Sequence, residues 1–229
     1  MGRLEISGVL LDMDGTIIDS ENFWATAERE LVESFGGNWS KQDGLSLAGS
    51  SLENAALKLR AAGVRRGIAE IIEFMSDRVI EQIRQRVPWR TGVVDFLRNL
   101  KDAGVSCALV TNSTRDIADH VAQAVHEELG SPFFRSIVCS EDIDRPKPDP
   151  EAYLKATELL CTTADQVVAI EDSVPGARSA RASGAITIGV PLHKNIPEDS
   201  VHALWKSFAG KTFGDVQQVW LKHRGGIPR

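Results

Sequence analysis

From Thr91 onward the chain alternates short apolar runs with amphipathic helical ones, and this alternation constrains the fold more than any other feature. Residues 93–100 have helical spacing, and residues 105–110 follow Gly104 as an apolar strand. Residues 114–129 place Ile117, Val121, Val125 and Leu129 on one helical face. Residues 137–139 read as a short strand, 150–160 as a helix, 167–170 as a strand, 175–183 as a helix and 186–190 as a strand. Such an order predicts an α/β fold: a doubly wound, Rossmann-like parallel sheet with helices on both faces. Residues 201–204 and 216–221 read as one or two short helices packing back on it.

Ahead of this region, Val9-Leu10-Leu11 runs into Asp12-Met13-Asp14-Gly15-Thr16. Alternation in a strand puts the Asp12 and Asp14 side chains on one side, and Gly15 lets the chain turn sharply after them. Two close carboxylates repel unless a cation lies between them. Mg²⁺ suits such a place, since it takes one or two carboxylates and fills its other positions with water and phosphate oxygens. The alternative is a strand leaving the core through a polar, Asp-rich turn.

Between these regions the pattern is helical. Phe23, Ala27, Leu31 and Phe35 are spaced by four, and Gly36-Gly37 ends that helix. Residues 51–62 form a second, capped by Ser50 or Ser51 and stopped by Gly63. Ile68, Ile71, Ile72, Met75, Val79 and Ile83 give a third, and Pro88 closes the unit. Three helices with no strand signal among them predict a small all-helical unit inserted after the first strand.

Ligands of an open parallel sheet bind outside the carboxyl ends of its strands. Three later strands end there in polar residues. Thr111-Asn112-Ser113 offers a hydroxyl and backbone N–H groups at a helix start, which is either a phosphate cradle or a cap, through Ser113 or Thr114, for the next helix. In Arg145-Pro146-Lys147-Pro148-Asp149-Pro150, prolines on both sides restrict Lys147. Its ammonium then either neutralises phosphate and carboxylate or is solvated on a rigid surface loop. Asp149-Pro150 reads as an N-cap and first helical turn. Glu171-Asp172 ends the third strand, as further oxygen ligands for Mg²⁺ or as acids answering a helix dipole.

A net charge of −6 argues against nucleic acid, whose binders carry a basic footprint. No long uncharged apolar run marks a membrane span, and residues 1–5 show no secretory pattern before the first strand. Cys107, Cys139 and Cys161 are scattered without metal-type spacing, as reduced thiols of a cytoplasmic protein are.

Taken together, Asp12-Met13-Asp14-Gly15-Thr16, then Thr111, then Lys147, then Glu171-Asp172 resemble the four ordered motifs of the haloacid dehalogenase superfamily. The helical insertion resembles the cap of its β-phosphoglucomutase-like phosphatase subfamily. The resemblance implies a catalytic core of residues 1–18 and 91–229 with a cap of residues 19–90, hinged near residues 18–20 and 89–91. It further implies a phosphatase acting on a small phosphorylated metabolite, a sugar or polyol phosphate, as a monomer. Asp12 would be the nucleophile that becomes an aspartyl-phosphate, and Asp14 the acid and then base. Thr111 and the Asn112 amide would hold the phosphoryl oxygens, with Lys147 balancing their charge. Mg²⁺ would sit between Asp12, the Asp14 carbonyl and Asp172, with Glu171 near or in its shell.

Trp24, Ala48-Gly49-Ser50 and Arg60 belong to the cap, where the Gly49 loop is in reach of the site and Trp24 serves either packing or substrate contact. A phosphosugar mutase is the nearest alternative, and a catalytically idle binding module the alternative outside enzymes. β-Phosphoglucomutases carry a histidine five residues beyond the aspartate matching Asp19, and here that position is Trp24, which speaks for hydrolysis.

Overall fold

The computed structural model describes residues 6–47 and 49–224 of the chain. Ala48 and residues 1–5, both read above, lie outside the described residues. The strands are β1 (Gly8–Leu11), β2 (Ser106–Val110), β3 (Phe134–Val138), β4 (Val167–Glu171), β5 (Ile186–Gly189) and β6 (Ala203–Leu204). They form one parallel sheet in the order β3-β2-β1-β4-β5-β6. Leu11 of central β1 lies beside Leu109 of β2 and Ile170 of β4, so three neighbouring strands end level with one another. The chain reverses its direction of travel across the sheet at β1, the place where doubly wound sheets open a crevice.

Alternation along the strands sorts the core into two layers. Val9, Leu11, Leu109 and Ile170 pack with Phe96 and Leu97 of α5 (Val93–Asp102), Ile117 and Val121 of α6 (Arg115–Leu129), and Trp220 of α9 (Phe213–His223). Leu10, Ala108, Val110 and Ala169 face the other way, against Tyr153 and Ala156 of α7 (Glu151–Leu159) and Ala180 of α8 (Val174–Ala182). Small alanines on that side let α7 and α8 lie close to the strands, with Tyr153 the one large side chain sealed beneath them.

Among the described residues four helices, one more than the sequence pattern predicts, separate β1 from α5: α1 (Glu21–Ser34), α2 (Lys41–Leu47), α3 (Leu52–Ala61) and α4 (Ile68–Gln85). The extra helix, α2, reads KQDGLSL and buries only Gly44 and Leu47, so it has no apolar stripe to reveal it. Ser51 caps α3 by accepting from the Asn54 N–H at 3.3 Å. Ala27, Leu31, Trp39, Ala56, Leu59, Ile71 and Met75 make a separate core for these helices. The stripe of α4 is shared: Ile71 and Met75 belong to that core, whereas Val79, Ile80 and Ile83 join the core of the sheet. The two connecting strands of chain pair with each other, Asp19 N–H donating to Pro88 O at 2.8 Å and Arg90 N–H to Ile17 O at 3.1 Å.

Two further readings change. Residues 201–204 are not helical, because Ala203 and Leu204 extend the sheet as β6 beside Ile188 and Gly189. Strand β3 lies earlier than residues 137–139, since Phe134 and Ser136 also pair with β2.

Candidate active site

The site is assembled at the carboxyl ends of β1, β2 and β4. Asp12 follows directly on β1, its N–H donating to Ile170 O at 3.1 Å. Its Oδ2 accepts from Thr16 Oγ at 2.7 Å and its Oδ1 from Lys147 Nζ at 2.7 Å. The Met13 carbonyl accepts from the N–H groups of Thr16, Ile17 and Ile18, which folds the segment into a tight loop behind Asp12. Gly15 turns that loop at φ +79°, and a Cβ there would lie 2.1 Å from Asp172 Oδ2. Only glycine leaves room for the carboxylate.

Lys147 is 6% exposed, and its three N–H bonds go to Asp12 Oδ1, Val110 O at 2.8 Å and Glu171 Oε1 at 2.7 Å. Burial alone would weaken its proton affinity, but the Asp12 and Glu171 carboxylates outweigh burial and keep it a fixed cation. Asn112 supports it, Oδ1 accepting the Lys147 N–H at 3.1 Å. The solvated-loop alternative for Lys147 is therefore excluded. Glu171 has no exposed surface and also accepts from Tyr153 OH at 2.6 Å and Ser173 Oγ at 3.2 Å. Gly176 makes that possible, for a Cβ on it would lie 2.0 Å from Glu171 Oε2, far inside van der Waals contact.

Asp12, Glu171 and Asp172 offer carboxylate oxygens that all lie within 4.8 Å of one another. Burial and the charge of Glu171 push Asp12 up to about 7, against relief from Lys147 and Thr16. Burial, Asp12 and Glu171 likewise hold Asp172 well above the usual carboxylate range, with Lys147 and Arg90 opposing. Three crowded carboxylates facing one lysine call for further positive charge. An all-oxygen donor set of this kind fits a hard divalent cation such as Mg²⁺.

The Asp14 side chain is not part of that cluster, which corrects the expectation that the two aspartates face a shared cation. The strand stops at Leu11, so strict alternation does not carry through residues 12–14. Instead Asp14 Oδ1 accepts from the Ser20 hydroxyl and from Trp24 Nε1 at 3.1 Å. Its Oδ2 accepts from Ser113 Oγ at 2.6 Å and, at the long limit, from Thr111 Oγ at 3.5 Å. Ser113 thus serves the site, and neither it nor Thr114 caps α6 with its side chain. Asp149 stands one residue earlier than expected in its helix, with Pro150 at the N-cap and Asp149 Oδ1 accepting the Glu151 N–H at 3.0 Å.

Several participants were not picked out from sequence. Tyr153 carried a signal, being the chain's single tyrosine on the apolar side of a helix. Ser20 and Arg90 carried none. Arg90, in the second connection, is buried and donates to the carbonyls of Gly15, Val190 and Pro191. Arg60 lines no part of the site, whereas Gly49 approaches it, a Cβ there lying 3.3 Å from Ser173 Cβ.

A cavity of about 690 Å³ lies over these groups. Asp12, Asp14, Thr111, Asn112, Lys147 and Asp172 form its floor, and residues of α1, α2 and α3 its opposite wall.

The family described as haloacid dehalogenase-like hydrolase matches residues 9–190. Over 203 residues the chain is 30% identical to hexitol phosphatase A of Escherichia coli (strain K12), spanning 86% of this chain and 87% of that one. It is 28% identical over 187 residues to the bifunctional riboflavin kinase/FMN phosphatase of Arabidopsis thaliana, where 81% of this chain covers 48% of the longer plant protein. Among solved structures, CbbY from Rhodobacter sphaeroides in complex with phosphate superposes with a TM-score of 0.79 at 23% identity, covering 90% of this chain and 96% of that one.

Proposed function

Because this chain belongs to the haloacid dehalogenase-like hydrolase family, we propose that it is a Mg²⁺-dependent phosphatase that hydrolyses a sugar or polyol phosphate through an aspartyl-phosphate on Asp12. The observation that carries the reading is the contrast between Asp12 and Asp14. Asp12 lies among a fixed lysine and two carboxylates, while Asp14 is set apart among three hydroxyls and an indole. Paired carboxyls in unlike surroundings take unlike roles.

In this reading an Asp12 oxygen attacks phosphorus and the bond to the ester oxygen breaks, with Asp14 giving that oxygen its proton. Asp14 then takes a proton from the water that attacks the phosphoryl group, and Asp12 is released as carboxylate. Thr111 and the Asn112 amide bind phosphoryl oxygens, and Lys147 balances charge at Asp12 throughout. Mg²⁺, held by Asp12, Asp172 and the Asp14 carbonyl with Glu171 alongside, would supply electrostatic stabilisation of the transferring group.

Residues 19–90 act as a cap that closes over a core of residues 1–18 and 91–229, with the paired connections at Ile18 and Trp89 as the hinge. Closure excludes bulk water from the nucleophile and brings Trp24 against Asp14. An indole only donates, so Trp24 cannot supply the acid–base group that a returning sugar hydroxyl needs, and hydrolysis is favoured over the mutase reaction. Among the described residues no helix is long and apolar enough to cross a membrane. The three cysteines are free thiols, which agrees with a proposed cytoplasmic setting for a monomeric enzyme.

Phosphate release from a panel of phosphorylated metabolites, with Mg²⁺ and with chelator, tests the proposal. Release from sugar or polyol esters that stops with chelator supports it, and no release from any ester would remove it.

A further inference from the structure

The wall of the cavity opposite the catalytic floor has an unusual lining. Glu21, Trp24, Ala25 and Glu28 of α1 all face it, at the spacing that puts residues on one side of a helix. Two of these four positions are carboxylates. Glu28 is 4% exposed, and its Oε2 accepts from Trp39 Nε1 at 3.0 Å. Gly44 of α2 packs directly behind it, since a Cβ there would lie 3.2 Å from the same oxygen. Glu21 is less enclosed, yet both of its carboxylate oxygens are buried, and Oε1 has no hydrogen-bond partner among the described residues. Its Oε2 has a charge contact with His193 Nε2 at 2.8 Å, and His193 also faces Asp19 at 2.9 Å.

A buried carboxylate oxygen without a donor is costly, and a bound molecule that brings O–H groups removes the cost. A second phosphate or a carboxylate on the substrate would instead set acceptor oxygens against the Glu21 and Glu28 acceptors and a like charge beside Glu21, the cations on that wall being His193 and Lys194. His193 is already shared between Asp19 and Glu21, and so is no ready anchor for such a group. Burial and the Glu21 charge push Glu28 up to about 7, against relief from Trp39 and Lys58, so this carboxyl holds its proton more readily than a free one. The groups around the pair are thus Asp19, Lys41, His193 and Lys194 beside Glu21, and Lys58 and Trp39 beside Glu28.

We propose that Glu21 and Glu28 are specificity-determining residues, acting as hydrogen-bond acceptors that select phosphate monoesters whose alcohol part bears several hydroxyls and no second anionic group. The inference rests on the phosphatase reading above and adds to it the chemistry of the leaving group and the residues that read it. The cavity's volume falls in the range of small-molecule sites, with space beyond the phosphoryl group for such an alcohol.

The test compares kcat/KM for four esters: sorbitol 6-phosphate, fructose 1,6-bisphosphate, phosphoglycolate and phosphoethanolamine, with p-nitrophenyl phosphate as the common reference. The expected result is a preference for the polyol ester of at least about tenfold over the bisphosphate and the acid, since a site built for hydroxyl donors leaves its acceptors unpaired with the wrong partner, and a preference over the amine, which brings one donor group where the polyol brings several. Glu21→Gln and Glu28→Gln should each lower the ratio of polyol to aryl ester by about tenfold, because each replaces an acceptor oxygen with an N–H₂ group. If Glu28→Gln fails to fold, Glu21→Gln decides alone, as its side chain lies at a helix start. Equal or better turnover of the bisphosphate, the acid or the amine would overturn the inference, as would an unchanged ratio in the variants. Turnover of the aryl ester without polyol preference defeats this inference and leaves the phosphatase reading standing. Failure to hydrolyse even the aryl ester defeats both.

Discussion

Lys147 Nζ lies 2.7 Å from Asp12 Oδ1, and the same nitrogen, at the same distance, reaches Glu171 Oε1. One ammonium therefore joins residues that close two neighbouring strands, and it is nearly sealed from water. In the proposed reading the pair serves catalysis and the fold together.

Lys147→Met should then abolish phosphate release and also destabilise the protein. Removing one partner of a buried ion pair strands the other charge, at a typical cost of about 3–5 kcal/mol. Thermal melting beside the activity assay checks this. An unaltered melting temperature would mean that Lys147 is far more exposed than its surroundings indicate.

Asp12 and Asp172 make the stability of the metal-free protein depend on pH. Asp12 is raised from 3.8 to about 7, so between those values the folded chain binds more protons than the unfolded one. Stability is then highest at the acid side and falls as pH rises through about 7, by up to roughly 1.4 kcal/mol per pH unit for one such group. Added Mg²⁺ should flatten the fall, since it takes the place of the protons. Melting curves from pH 5 to 8 with chelator and with Mg²⁺ measure both effects, and a metal-free melting temperature that rises with pH would contradict them.

Gly15→Ala should damage the site without touching any catalytic atom. The new Cβ needs the space of the Asp172 carboxylate and sits at a φ of +79°. Backbone strain there costs about 1–2 kcal/mol, and displacing Asp172 by an ångström is enough for about a hundredfold loss of kcat. A raised Mg²⁺ requirement should accompany the loss. A variant with wild-type rate at low Mg²⁺ would show that Asp172 does not hold the metal.

Tyr153→Phe isolates the support given to Glu171. Its hydroxyl is 2.6 Å from Glu171 Oε1, which keeps Lys147 as its other partner on that oxygen. The expected cost is about 1–3 kcal/mol of stability, with activity reduced but retained. Complete inactivation of a folded Tyr153→Phe protein would assign the tyrosine a direct part in the reaction.

Much of this architecture is legible in the sequence because strands β1, β2 and β4 are short apolar runs with polar residues at or directly after their ends, and β5 is a further apolar run. Asp12, Thr111 and Glu171 could be read as neighbours because each ends or directly follows an apolar strand, whereas Lys147 lies in a loop well beyond β3 and joined them only through the family resemblance. Helix α2 was not legible, since Gly44 and two leucines give no periodic stripe, and β6 is only two residues long. The surroundings of Asp14 were hidden for another reason. Ser20 and Trp24 lie together at the start of α1 while Ser113 follows β2, and only the packing of α1 against the sheet brings them to one carboxylate. The roles of Glu21 and Glu28 were hidden likewise, as acidic residues on a helix ordinarily face water.

The central claim is that Asp12 carries the phosphoryl group. Incubating the protein with p-nitrophenyl phosphate and Mg²⁺, quenching in acid, reducing the acyl phosphate with borohydride and mapping the modified peptide by mass spectrometry tests it directly. The account predicts modification at Asp12 in the wild type and none in a folded Asp12→Asn variant, which also releases no phosphate. Modification at another residue, or wild-type phosphate release by Asp12→Asn, would contradict it.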